Sequence, residues 1–365
     1  MLAAALLVPL GAGLDAMAQV MPEHAEVAWR YLDYRDWQPG QERVRVRAPA
    51  LHVLVPLSTP GTGDWSFEAT MIKDTISGAS PRYHTESLTR LADVRKAQDL
   101  RITRYRPWGN ASVGLNFSDE SDYVSKGLSF NLSLPNESRN TTWHLGAARA
   151  EDRIHTARIG ERTKQVNEWL VGVTQVLSRT DVAQLHLTHS SGRGYFSDPY
   201  KALDNRPDRK RQTVLLARWN HHFEDSGLTT RLSARHYQDN WRVRAQTLSG
   251  ELVWPVSAGL TLTPSVRLHS QSAAAFYVDP VVPGEPTIPD GLTSRSIISE
   301  DQRLSGFGGR TLGIKLAWQV SPDWTFDVKA EHYEQRGAWA LFARGSPGLA
   351  PFSARFVQLG LSRRF

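Results

Sequence analysis

The sequence predicts an all-β protein, a transmembrane antiparallel up-and-down barrel of about sixteen strands. Three observations predict it. Apolar and polar residues alternate with period two along nearly the whole chain, and tight turns trade places with long loops between successive segments. The last ten residues, FVQLGLSRRF at 356–365, form an amphipathic strand that closes on an aromatic ring.

In chain order the alternating segments span 25–35, 42–57, 64–74, 98–107, 109–118, 123–134, 140–151 and 166–178. The second half continues with 181–190, 211–223, 227–238, 241–254, 259–271, 303–320, 323–335 and 353–365. Successive side chains of a strand point to opposite faces. Leu128, Phe130, Leu132 and Leu134 therefore oppose Ser129, Asn131 and Ser133, and Leu260, Leu262, Val266 and Leu268 oppose Thr261, Thr263, Ser265, Arg267 and His269. Leu312, Ile314, Leu316 and Trp318 oppose Thr311, Gly313, Lys315 and Gln319, while Trp324, Phe326 and Val328 oppose Thr325, Asp327 and Lys329. Pro49 and Pro56 interrupt the second segment, where a missing N–H predicts a bulge or a later start. If segment 25–35 or 98–107 is a plug or a loop, fourteen strands remain.

A β-sandwich also alternates, so the connections decide the class. Even-numbered segments lead to short turns such as 107–109, 178–181 and 321–323. Odd-numbered ones lead to the long stretches 75–97, 152–165, 191–210, 272–302 and 336–352, with three shorter ones among them. Short periplasmic turns at one end and long extracellular loops at the other are the asymmetry of an outer-membrane barrel.

Composition agrees. No run of about 18 apolar residues follows the first few residues, so no transmembrane helix is available. A mean hydropathy of -0.40 suits strands that hide their apolar face by alternation. Twelve Trp, many near strand ends, suit aromatic girdles at the interfaces. The chain has no Cys, which excludes disulfides, thiolate metal sites and a cysteine nucleophile. Its formal charge of +6 is scattered singly rather than clustered, so nucleic acid is not the expected partner. Residues 1–18 read as a cleaved signal peptide, with Leu2 to Leu10 as the apolar stretch and Ala16-Met17-Ala18 as the cleavage site. No Lys or Arg precedes Leu2, as expected if the true start lies upstream. Residues 19–24 then form a short extension and 25–365 the barrel, in a Gram-negative outer membrane.

The face opposite the apolar one lines the lumen. The expected basic wall comprises Arg231, Arg235, Arg242, Arg244 and Arg267, with Lys315, Lys329, Arg43, Arg45 and Arg47. The expected acidic lining comprises Glu68, Asp327 and Glu331. Guanidinium groups along a channel favour anions and bind carboxylate or phosphate bidentately. The competing reading is that they pair with acids and brace the barrel.

Twelve His are present, but His186 and His189 point to opposite faces of one strand, as do His221 and His222, so neither pair converges on a metal. His189 with Ser190 or Ser191 is the one hydrolase pairing to test, without a GxSxG motif to support it. No cofactor motif occurs, and the chain is not expected to be an enzyme.

The final strand is similar to the closing strand that barrel-assembly machinery reads, with Gln358, Gly360 and Phe365 as the signal residues; Arg363 stands where an aromatic is more usual. Four further stretches are DTISGASPRYHT at 74–85, THSSGRGYFSDPYK at 188–201, ARWNHHFE at 217–224 and SQSAAAFYVDP at 270–280. With GSPGLAPFSARFVQLGLSRRF at 345–365, they resemble domain-of-unknown-function family 3570, across about residues 25–365. The resemblance implies an outer-membrane barrel of uncharacterised activity. It also implies a periplasmic redox, flavin-linked or lipoprotein system as a partner. The expected function is a porin-like channel for small anionic solutes surrounded by outer-membrane lipid. The alternatives are a non-conducting scaffold for that periplasmic system and an outer-membrane hydrolase.

Overall fold

The computed structural model describes residues 20–39, 41–59, 63–78, 91–201, 203–279, 288–293 and 295–365. The expected signal segment and much of the loop at 75–97, with His84 of the stretch DTISGASPRYHT, lie outside the described residues. The strands are β1 (Glu26–Gln38), β2 (Gln41–Thr59), β3 (Gly63–Gly78), β4 (Leu91–Arg106), β5 (Gly109–Asp119), β6 (Tyr123–Pro135), β7 (Thr141–Thr156), β8 (Gly160–Val176) and β9 (Asp181–Gly194). They continue with β10 (Asp204–Asn205), β11 (Arg209–His222), β12 (Thr229–Asp239), β13 (Arg244–Ser257), β14 (Leu260–Gln271), β15 (Ile298–Ser299), β16 (Phe307–Gln319), β17 (Trp324–Arg336) and β18 (Phe352–Arg364).

Sixteen of these close into one antiparallel barrel, each paired with its neighbour in sequence and β18 returning to β1; the two-residue strands β10 and β15 pair with each other outside it. Closure leaves no strand edge unpaired, which is what a strand structure needs in hydrocarbon. Among the described residues, no helix is long and apolar enough to cross a membrane.

Alternation decides the two faces. Leu128, Trp169, Leu248, Leu312, Leu316 and Trp318 all lie at least 42% exposed on the outside. A continuous apolar belt of this kind is unfavourable in water and natural against lipid. At one rim every turn is short; at the other, the β9–β11, β14–β16 and β17–β18 connections are long.

Three details depart from the sequence reading. The stretch 152–165 is mainly strand, because β7 and β8 pair out to Thr156 opposite Gly160. β2 runs unbroken through both prolines, and its ladder to β3 lapses only at Ala48 and Pro49, where Pro49 lacks a donor. The bulge lies earlier: between Arg35 and Trp37, β2 advances one residue more than β1. This bulge turns both Arg43 and Val44 inward, where each is buried.

Phe365 closes the seam: its N–H donates to the Ala25 carbonyl at 3.0 Å. Gln358 and Gly360 share the inward phase of β18, and a Cβ on Gly360 would overlap the Asp327 carboxylate of β17. Glycine is therefore required there by close approach.

Candidate functional site

The inward face is the candidate site. Arg231 and Arg235 on β12, Arg267 on β14, Lys315 on β16 and Lys329 on β17 all project into the barrel. So do Glu68, Asp327 and Glu331, because each is in register with other residues of the inward phase.

Four of the expected basic residues lie elsewhere. Arg45 and Arg47 share a face with Leu51, which pairs with the exposed Trp29, so they point outward. The expectation assumed that the apolar phase of β2 meets lipid. At this corner it does not: Val44 and Val46 pack inside with Tyr34 and Ala354, against Tyr333, Phe352 and Phe356. Arg244 stands four residues before Leu248, an even separation, and so belongs to the outer face opposite Gln238. Arg242 lies in the β12–β13 turn with a φ of 69° and is not part of the wall. Arg43 does lie inside, 3.8 Å from Asp36 and over the Phe352 ring.

Most inward cations have a carboxylate. Lys329 sits 2.8 Å from Glu331, Lys315 3.7 Å from Asp327, Arg231 3.9 Å from Glu251, and Arg101 3.7 Å from Glu68. Arg95 with Asp74 and Lys164 with Asp152 extend the pattern to residues that the sequence reading passed over. These pairs neutralise and brace the wall. Arg235 and Arg267 differ: among the described residues neither has a carboxylate within ion-pairing distance. Their charges act on each other, and Arg235 is stacked 5.4 Å from the Tyr237 ring centre. His269 lies beside both, with its Nδ1 2.9 Å from Thr247 Oγ1. Together they give one stretch of the lumen an uncompensated positive potential.

A second constellation lies deeper in sequence terms, on β7 and β9. His144 and His186 approach to 5.4 Å between ring centres, and both face inward. His144 is held by Ser133 at 3.1 Å and Thr174 at 2.9 Å. Gly172, on the strand between them, leaves room for the His186 ring, since a Cβ would overlap it. His189 points the other way and bonds Thr213 at 3.1 Å, while Ser190 is buried on the inward side, so that pair does not meet. His221 bonds Asp181 at 2.8 Å on the outer face.

The long-loop rim carries a folded cap. Lys164 and Lys210 project inward and lie over Phe196 and Trp241, at 5.7 and 4.6 Å from the ring centres, so those rings sit in the mouth. Trp241 meets Phe196 and Phe276 edge-on, and Leu304, Ala274 and Val243 complete an apolar cluster. Behind it lies a buried ion network. Asp301 accepts from Arg206 at 2.5 Å, from Lys201 at 2.9 Å and from Arg303, while Asp204 pairs with Arg206 at 2.8 Å and Asp198 with Arg303 at 2.8 Å. Burial alone would raise the Asp301 carboxyl, but Arg303, Lys201 and Arg206 outweigh it and hold the group well below the usual carboxylate range. Arg158 donates to the Lys201 carbonyl at 3.0 Å, and Tyr200 to Asp122, so the cap is tied to the neighbouring rim as well. Asp93, Glu120 and Asp122 bring three carboxylates within 4.8 Å of one another there, the one group among the described residues whose ligand types suit a hard cation.

Comparison with known proteins follows the architecture. The family model described as a protein of unknown function (DUF3570) matches residues 155–356, more than half of the chain. No curated protein matches in sequence. Among solved structures, CdiB from Acinetobacter baumannii is 10% identical, with a TM-score of 0.51, over 92% of this chain and 60% of that one. Pseudomonas aeruginosa OccK2 (OpdF), solved with glucuronate, is 10% identical with a TM-score of 0.49, over 94% of this chain and 98% of that one. A Pseudomonas aeruginosa FadL homologue is 11% identical with a TM-score of 0.40, over 94% and 89% respectively. At such identities the likeness is one of fold alone.

Proposed function

The chain belongs to the DUF3570 family, and from that premise we propose that it is an outer-membrane channel for small anionic solutes. The apolar belt supports placement in a bilayer, and the loop asymmetry supports an orientation with the cap outside the cell and the short turns in the periplasm. No catalytic constellation is assigned.

The observation that carries the reading is the Arg235–Arg267 pair. Two adjacent guanidinium groups without a carboxylate face a lumen in which most other cations are paired with one. A carboxylate or phosphate entering there replaces part of its hydration by charge-assisted hydrogen bonds. Passage needs binding that is favourable enough to enter and weak enough to leave, which a short positive stretch in a wet lumen provides.

Planar-bilayer recording of the purified protein tests this. A steady conductance with an anion-biased reversal potential supports the channel, and silence sinks it. A second reading, a non-conducting scaffold for a periplasmic redox, flavin-linked or lipoprotein system, draws on the cap: an ion network buried in the mouth suits a closed barrel. Silence together with capture of such a periplasmic component would favour it.

A further inference from the structure

On the outer face, the rim above β18, β1 and β2 carries a row of positive charge that the channel reading does not use. Arg355, Arg35 and Arg45 occupy three adjacent strands, and Arg35 is directly in register with both of the others. His332 on β17 is in register with Arg355 and shares this outer face. Arg47 follows Arg45 on the same face. Like charges directly opposite across a sheet are destabilising unless something neutralises them.

The neutralisation on the chain is partial. Asp33 alone serves three guanidinium groups: Arg45 at 2.5 Å, Arg35 at 3.1 Å and Arg47 at 3.8 Å. Arg355 lies over the Trp37 ring at 5.4 Å and has no carboxylate within ion-pairing distance among the described residues. The four arginines and one aspartate leave an excess of positive charge facing away from the lumen.

What lies beneath the row identifies its occupant. Below Arg35 on β1, the outward residues are Asp33, Tyr31 and Trp29, the last two stacked 6.2 Å apart; below Arg355 on β18 they are Val357, Leu359 and Leu361. The same strands therefore pass from an apolar surface fit for acyl chains to a cluster of guanidinium groups. Bidentate guanidinium donors match phosphate oxygens. We propose that this patch binds the phosphorylated headgroup of an outer-leaflet glycolipid, with its acyl chains lying against the Trp29–Leu361 surface below. The proposal rests on the outer-membrane orientation given above but not on conduction; a silent barrel that still bound the lipid would separate the two.

The test uses the full-length protein in detergent, titrated with bisphosphorylated lipid A and read by native mass spectrometry. Dephosphorylated lipid A and inorganic phosphate serve as comparison ligands. The triple variant Arg35→Gln, Arg45→Gln, Arg355→Gln should weaken lipid A binding by roughly a hundredfold, the combined effect of three basic groups near a lipid headgroup. Arg149→Gln, on β7 and already paired with Glu151 at 2.6 Å, should leave binding unchanged. Retained heat-modifiable migration on gels identifies variants that still form the barrel. Equal binding by wild type and a folded triple variant would overturn the proposal. So would binding of dephosphorylated lipid A as tight as that of the phosphorylated form. Full competition by inorganic phosphate at matched concentration would reduce the patch to a general anion site and overturn the lipid assignment.

Discussion

Arg206 donates to Asp301 at 2.5 Å across 95 residues of sequence, and by doing so it fastens the β9–β11 loop to the β14–β16 loop over the mouth of the barrel. Asp301 is fully buried and is the common acceptor of three cations, so the cap depends on it more than on any one of its partners.

Asp301→Asn should therefore loosen the cap without opening the barrel. Removing one partner from a buried ionic cluster costs about 3–5 kcal/mol because the remaining charges are left uncompensated. Faster proteolysis within 195–208 and 288–306, with heat-modifiable migration unchanged, is the expected result. In bilayers the same variant should conduct more than wild type.

Acid should act on the same latch only at its extreme. The folded Asp301 carboxyl is held below its ordinary value of 3.8, so its contribution to cap stability is present above that value. The contribution is lost as pH falls through the lowered folded value. Hydrogen-exchange protection of the cap should stay level from about pH 8 to about pH 5 and decline only in stronger acid. A decline near neutrality would point to another group.

Anion preference should separate the two sets of arginines. Arg235→Gln with Arg267→Gln should remove most of the reversal-potential bias, since these charges lack carboxylate partners. Arg242→Gln with Arg244→Gln should leave it nearly unchanged, because one lies in a turn and the other on the outer face. Equal effects from both pairs would refute the assignment of selectivity to the lumen pair.

Ile314→Arg places a charge in the middle of the outer belt of β16 and should destabilise the barrel by about 2–4 kcal/mol in urea-dependent folding into bilayers. Ser265→Arg, its neighbour on β14 with the opposite phase, faces Glu251 across the ladder and should cost far less. The comparison measures which face meets lipid.

The passes of the barrel were legible because alternation is local: a strand such as 260–271 declares both its faces within a few residues. Parity alone misled where the interior is itself apolar. Val44 and Val46 look like lipid-facing residues until Tyr34 on the neighbouring strand and Phe356, far downstream, are seen to cover them from inside. Arg235 and Lys329 both read as inward cations along the chain, but Lys329 pairs with Glu331 two residues further on the same strand, whereas Arg235 has no carboxylate in reach among the described residues. The cap was illegible for the same reason. Its Asp-Pro and aromatic motifs are visible, but the pairing of β10 with β15 joins segments with no common pattern.

The seam between β1 and β18 also sets a schedule. Each other strand can find a partner among its immediate neighbours in sequence, yet β1 must wait for a stretch more than three hundred residues downstream before its second side is satisfied. Until then the growing sheet carries two sticky margins, both able to recruit foreign strands. Such a ring cannot be finished piecemeal, and a chain halted before β18 would be an aggregation hazard rather than a smaller barrel.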